Sequence, residues 1–306
     1  MRLILILSCS IFFSSALMAE AEVCVKGDCK NGRGTLQLPG GASYEGDFSN
    51  GQFDGKGIYI LPNGTYTGEF KSNKIQGKGV FVFKTGRKLE GSFEDGKLNG
   101  KGVETLPDGT RYTGDFKKGK KTGDGEFILA DGSRYQGEIE DGAKHGKGVL
   151  VYKDGSRFEG EFQNDQFTRG TLTRADGTVF KGNFKNFQIQ GRGEATLKDG
   201  SKYAGEFDNG LFHGTGTIVH ADGLTYTGTF VAGKKDGKGT EVFKNGDTYT
   251  GQFKNDLKEG SGLYKYSDGS KYEGQFSGDQ PHGQGTYTAK NGEVRQGTWV
   301  RGKEQK

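Results

Sequence analysis

His145, His213 and His282 each stand immediately before a glycine pair, in the same slot of a recurring pattern. Imidazoles in a fixed slot could ligate a metal or relay a proton, so their spacing decides whether they can act together. Successive members lie three copies of the pattern apart, and two strands per copy at about 4.8 Å each put them roughly 29 Å from one another. Bonds from a metal to its ligands are about 2 Å long, so these histidines cannot share an ion. His220 has no evident partner. Aspartates such as Asp131, Asp154, Asp199 and Asp222 also arrive one per copy, which argues for turn chemistry and against a multi-carboxylate calcium cage. The many glycine pairs never complete Gly-x-x-x-x-Gly-Lys-Ser/Thr, so they read as backbone requirements and not as phosphate loops. No serine sits in a nucleophile elbow, and no cysteine–histidine constellation is present. The expectation is a chain without catalytic residues, cofactor or metal.

Three cysteines remain to be placed. Cys9 lies within an apolar stretch from Leu3 to about Met18, preceded by Arg2 and followed by small residues at Ala19 and Ala21. Those three parts make residues 1–21 read as a secretory signal peptide, cleaved after Ala21 or after Ala19. An uncleaved anchor would need a longer run for a bilayer of roughly 20 helical residues. Acylation would need Cys9 at the end of the run instead of inside it. Export leaves Cys24 and Cys29, and an oxidising compartment predicts that they close a small disulfide loop.

Every one of these residues is carried by a repeat. An aromatic opens each copy about every 23 residues, at Tyr44, Tyr66, Tyr112, Tyr135, Phe158, Phe180, Tyr203, Tyr226, Tyr249 and Tyr272, with Leu89 substituting once and Arg295 opening a truncated last copy. Two residues on stands glycine, from Gly46 to Gly297, without exception. A second aromatic follows after two more, from Phe48 to Trp299, broken only by Ile139. A Gly-x-Gly pair such as Gly146/Gly148 comes next, and an Asp-Gly closes most copies. The copy from Phe158 is one residue short, with Thr168 in place of the first glycine of its pair.

Composition agrees with an array. With 57 glycines in 306 residues and 31% apolar residues, no large globular core can form, yet the aromatics are too regular for a disordered linker. A net charge of +4 from 43 basic and 39 acidic residues leaves no uncompensated basic stripe, which excludes a dedicated nucleic-acid binder.

Within one copy, Tyr203-Ala204-Gly205-Glu206-Phe207 alternates with period two, so aromatic, glycine and aromatic share one face of a strand. Asp208-Asn209-Gly210 and Asp222-Gly223 supply turns that tolerate positive φ. The expectation is all-β: an elongated, twisted, single antiparallel sheet, a β-meander solenoid of about twelve hairpin repeats spanning on the order of 115 Å. It divides into residues 22–43 as a partial repeat, 44–294 as eleven full repeats and 295–306 as a truncated repeat and tail. Acids after the invariant glycine (Asp47, Glu69, Glu138) and bases inside the glycine pair (Lys56, Lys78, Lys147) predict charge ladders between neighbouring strands.

These motifs resemble the MORN repeat (membrane occupation and recognition nexus) over nearly all of the chain after residue 21. The resemblance implies a hairpin per repeat and a role as scaffold, dimerisation element or lipid-headgroup binder, although phenylalanine stands at the fifth position where the family often has tryptophan. The expected function is therefore an exported, non-enzymatic scaffold that presents its sheet to a protein or cell-envelope partner in the periplasm, outer envelope or extracellular space. The surface it would offer is the aromatic groove at Tyr203, Phe207, Tyr226, Phe230, Tyr249 and Phe253, unless those rings only hold the sheet together. The second reading is membrane-lipid binding through Lys117, Lys118, Lys120, Lys121, Lys234 and Lys235.

Overall fold

The computed structural model describes residues 21–305, so all but the last residue of the expected leader lies outside the described residues. The chain divides into two units, Met1–Pro107 and Asp108–Lys306. The first carries β1 (Val23–Gly27), β2 (Arg33–Gln37), β3 (Ser43–Ser49), β4 (Gln52–Leu61), β5 (Gly64–Lys71), β6 (Lys74–Phe83), β7 (Lys88–Glu94) and β8 (Lys97–Thr105). The second begins with β9 (Arg111–Lys117), β10 (Lys120–Ile128), β11 (Arg134–Glu140), β12 (Ala143–Val151), β13 (Arg157–Gln163), β14 (Gln166–Thr173), β15 (Val179–Lys185), β16 (Gln188–Thr196) and β17 (Lys202–Asp208). It continues with β18 (Leu211–Val219), β19 (Thr225–Val231), β20 (Lys234–Val242), β21 (Thr248–Lys254), β22 (Leu257–Lys265), β23 (Lys271–Ser277), β24 (Gln280–Thr288), β25 (Val294–Val300) and β26 (Lys303–Glu304). Within each unit every strand pairs antiparallel with its neighbour in sequence, the meander that the period-two pattern demands. Among the described residues no helix is long and apolar enough to cross a membrane.

Two kinds of turn alternate. Asn209 (φ 48°) and Gly210 (φ 81°) are both left-handed, the geometry whose twist matches the strands it joins. The Asp-Gly turns close differently: Asp131 and Asp199 accept the backbone N–H and the hydroxyl of Ser133 and Ser201, two residues on. Those serines are buried, and their hydroxyls accept the backbone N–H of Lys153 and Ala221 in the following turns. Where the closing motif extends from Asp-Gly to Asp-Gly-Ser, as at Ser133, Ser156 and Ser201, the turn is thus stitched to the next.

The two glycines of each pair do different work. Gly237 sits at φ +95° within a β-bulge that sets Thr229 against three residues of β20. Gly239 has ordinary dihedrals and is required for space, because a methyl group there would lie within 2.6 Å of Tyr226 Cζ. Gly228 faces it directly across the ladder.

The bulge also corrects the expected charge ladders. Lys56 stands opposite Glu69, and Lys147 opposite Glu161, but neither pair closes into an ion pair among the described residues. Asp47 and Glu138 instead accept the backbone N–H of Lys56 (3.0 Å) and Lys147 (2.9 Å). A bulge frees N–H groups from the strand ladder, and a carboxylate one strand away satisfies them with a charge-assisted bond.

The short copy shows the same logic in a different residue. Phe158 has no hydroxyl to offer the carbonyl of Glu161, and Thr168 Oγ1 donates to that oxygen at 3.3 Å. At the N-terminal end Cys24 and Cys29 form a disulfide with Cα atoms 6.0 Å apart, tying β1 to the loop that precedes β2.

Candidate interaction surface

The six aromatics expected to line a groove are all buried. Tyr226 and Tyr249 are 0% exposed, Phe230 and Phe253 3%. Tyr203 and Phe207 are buried in the same way. The reason is a clamp repeated along the sheet. Each opening tyrosine lies flat over its two facing glycines, and its hydroxyl donates to the carbonyl three residues on: Tyr203 to Glu206 (2.8 Å), Tyr226 to Thr229 (2.9 Å), Tyr249 to Gln252 (2.9 Å). The second aromatic meets the ring edge-on from both sides, as Phe230 and Phe253 do to Tyr226 at 5.1 and 4.9 Å. The ring nine residues after the opener then covers it. Phe53 stacks on Tyr44 at 3.8 Å and Phe212 on Tyr203 at 3.8 Å.

Where that covering slot holds lysine, an ammonium replaces the ring. Lys121 lies 5.5 Å from the centroid of Tyr112, Lys144 5.7 Å from Tyr135, and Lys235 and Lys258 5.5 and 5.4 Å from Tyr226 and Tyr249. Two lysines of the expected lipid-binding set are therefore lids on the fold, and Lys120 pairs with Asp141 at 3.0 Å. Glu241, buried where other copies carry Phe127 or Ile218, joins Lys235 (2.5 Å) and Lys258 (2.9 Å) in one buried ion cluster. Glu104 takes the same slot and pairs with Arg87 at 2.5 Å. Sequence reasoning missed both, although an acid in an otherwise apolar slot with lysines nine residues after neighbouring openers is a readable signal.

Burial shifts the clamp chemistry as well. Tyr44, Tyr66, Tyr112, Tyr203, Tyr226 and Tyr249 are pushed up to about 12, first by desolvation. The Asp47 carboxylate adds to the effect on Tyr44, and the Glu206 carboxylate to that on Tyr203. Tyr135 is raised for the same reason. Bonds from the neighbouring serine lower Asp131, Asp199 and Asp268. These tyrosines and aspartates are thus shifted away from neutrality, the tyrosines upward and the aspartates downward. No group of three or more metal-ligating side chains is present among the described residues.

What a partner can reach is the opposite face. In the first unit Ile60, Thr65 and Val82 form one cross-strand row and Ile58, Thr67 and Val80 the next, with Ile60 48% and Val82 46% exposed. In the second unit, one row runs Val219, Thr225, Val242, Thr248 across β18 to β21, and the adjacent row runs Thr217, Thr227, Thr240, Thr250. Thr217 and Thr227 share a hydroxyl–hydroxyl bond of 3.0 Å, as do Thr240 and Thr250 at 3.1 Å. Hydroxyls already bonded to each other cost less to take out of water. On β14 to β17 the same face is charged, with Arg169, Lys181, Arg192 and Glu194 around a shallow cavity of about 450 Å³. The neutral rows stand out in a chain of which 27% of residues are charged.

Comparison with known proteins follows this geometry. The family model for the MORN repeat matches residues 44–65, 66–86, 90–111, 112–134, 135–157 and 158–179, then 203–225, 226–248, 249–271 and 272–294. The stretch between residues 179 and 203, the copy opened by Phe180, is not matched. Among curated proteins none matches the chain. Among solved structures, a mutant TCP10 domain of Danio rerio CPAP is 18% identical, covering 72% of this chain and 99% of that one, with a TM-score of 0.34. The TCP domain of Drosophila melanogaster SAS-4 with a proline-rich motif of Ana2 is 15% identical, covering 65% and 90%, with a TM-score of 0.27.

Proposed function

Because this chain belongs to the MORN repeat family, we propose that it is a non-enzymatic interaction scaffold, and that it meets a protein partner through the outward, ring-free face of its sheet. The observation that carries the reading is the Val219–Thr225–Val242–Thr248 row, with its two valines exposed and its threonines half-buried, and the paired threonine row beside it. Across four adjacent strands these two rows carry no charge, and Thr217, Thr227, Thr240 and Thr250 bond to each other in pairs, the composition of an interface centre. Aromatic rings, which carry much of the binding at many interfaces, are committed to the clamp on the other side.

Export is part of the proposal. The apolar leader over residues 1–21 and a disulfide at Cys24–Cys29 support a protein that works outside the cytosol, with a protein or a cell-envelope component as its partner.

Charge placed on the outward face separates this surface from the fold. The double substitution Thr227→Lys and Thr240→Lys is expected to shift the thermal midpoint by only a few degrees, because both positions are on the solvent side, while abolishing in-cell crosslinking to the partner. Unchanged crosslinking by a folded double variant would refute the assignment of the face. Binding of the wild-type chain to anionic vesicles at low salt would point instead to a lipid surface.

A further inference from the structure

The slot nine residues after each opener is filled by a large side chain in every copy but one. Phe53, Phe167 and Phe212 cover their rings by stacking, and Lys121, Lys144, Lys235 and Lys258 by an ammonium. In the copy opened by Tyr272 the slot holds Pro281, which is too short and too rigid to lie over the ring. The slot seventeen residues after the opener is reduced as well: it holds Phe243 and Tyr266 in the two preceding copies but Ala289 in this one. The following opener, a ring in every other copy except the one opened by Leu89, is Arg295.

These departures leave a cavity of about 410 Å³ on the ring face, with Tyr266, Tyr287 and Trp299 among its walls and Arg295, Lys303 and Glu304 at its rim. Its size falls in the range that holds small molecules. The rings do not face one another in parallel. Tyr266 and Tyr287 are 6.5 Å apart at 65°, and Tyr287 and Trp299 6.4 Å apart at 49°. Trp299 is 8% exposed, and its Nε1–H has no hydrogen-bond partner among the described residues. A buried indole N–H normally finds an acceptor.

We propose that this cup binds an uncharged saccharide, with one pyranose ring seated among Tyr266, Tyr287 and Trp299. Inclined aromatic faces suit a puckered ring that presents C–H groups on both sides, and do not suit a flat ligand. Charge narrows the choice further. Arg295 is held by Glu304 (3.6 Å) and Glu293 (3.9 Å) and lies 4.8 Å over Tyr287, so the rim is close to neutral. With Arg295 and Lys303 present, a quaternary ammonium is disfavoured, while the glutamates disfavour an anion. Guanidinium and carboxylate side by side supply the donors and acceptors that adjacent hydroxyls need, which a proline ring cannot use. An acceptor on the sugar then gives Trp299 its missing bond after a small shift of the ring.

Trp299 is the only tryptophan of the chain, so its emission reports on this site alone. The experiment titrates the mature chain with cellotetraose, maltotetraose and chitotetraose, and in parallel with an oligoproline peptide. At least one tetrasaccharide is expected to give a saturable change in emission. Pro281→Lys, which restores the lid of the two preceding copies, and Arg295→Gln should each weaken that binding by about tenfold or more with the far-ultraviolet circular dichroism unchanged. The proposal is overturned if no saccharide changes the emission, if only the oligoproline does, or if the folded Pro281→Lys protein binds as tightly as the wild type.

Discussion

Replacing Gly239 by alanine is expected to destabilise the second unit by on the order of 3 kcal/mol, a larger effect than any substitution on the outward face. The new methyl would lie within 2.6 Å of both Tyr226 Cζ and Oη. The ring cannot yield, because Phe230 and Phe253 pin its edges at 5.1 and 4.9 Å, Lys235 covers it, and its hydroxyl is bonded to Thr229 O. Tyrosine must therefore leave the clamp or the strands must part, and either result uncovers glycine-rich backbone to water. An alanine at Gly223 is a useful contrast: only the flexible Lys244 side chain is near it, and the cost is the conformational one of φ +96°. The cause can be isolated with a cycle. Tyr226→Leu removes the ring, so Gly239→Ala should cost far less on that background, giving a coupling energy that thermal or urea unfolding measures. Equal costs on the two backgrounds would remove the clamp from the account.

Alkali is expected to unfold this protein steeply between about pH 10 and 12. Six clamp tyrosines are pushed up to about 12, chiefly by desolvation, against an ordinary value near 10. A raised folded value means that the fold holds the proton and the unfolded chain gives it up. Stability from this source is fully present below pH 10 and is lost as pH rises through the folded value. Six groups titrating together make the loss cooperative, so tyrosinate absorbance and loss of β circular dichroism should rise at one pH. Ionisation that completes near pH 10 with the sheet intact would contradict the clamp. The acid side should be gentler. The turn aspartates Asp131, Asp199 and Asp268 are lowered by their serines, so their contribution is present above about pH 4 and fades as pH falls below it, but all three are exposed.

Much of this architecture is legible in the residues themselves. Period two places Tyr203, Gly205 and Phe207 on one face, and Asn209-Gly210 demands a left-handed turn, because both are local consequences of backbone geometry. What covers the rings is less legible. The lid is Phe212 in one copy and Lys235 in the next, and a lysine carries no periodic apolar signal even when its stem lies on an aromatic face. The groove expected from a bare count of rings is consequently filled. The acids at Asp47 and Glu138 were also open to misreading, since opposite charges in register suggest ladders, whereas bulge N–H groups without a partner in the strand ladder claim the carboxylates first. The cup at Trp299 is visible in the sequence only once the lid slot is known, as a proline where bulk is the rule.

The central claim is directional: successive residues along the chain face a partner and the core in turn. It is tested most directly by placing a photo-crosslinking phenylalanine analogue at Val242, 43% exposed on the outward face, and in a second protein at Phe243, which packs 5.8 Å from Tyr264 on the ring face. In cells the account predicts crosslinks to a partner from position 242 and only intramolecular products from position 243. Partner crosslinks from position 243 with none from 242 would contradict it.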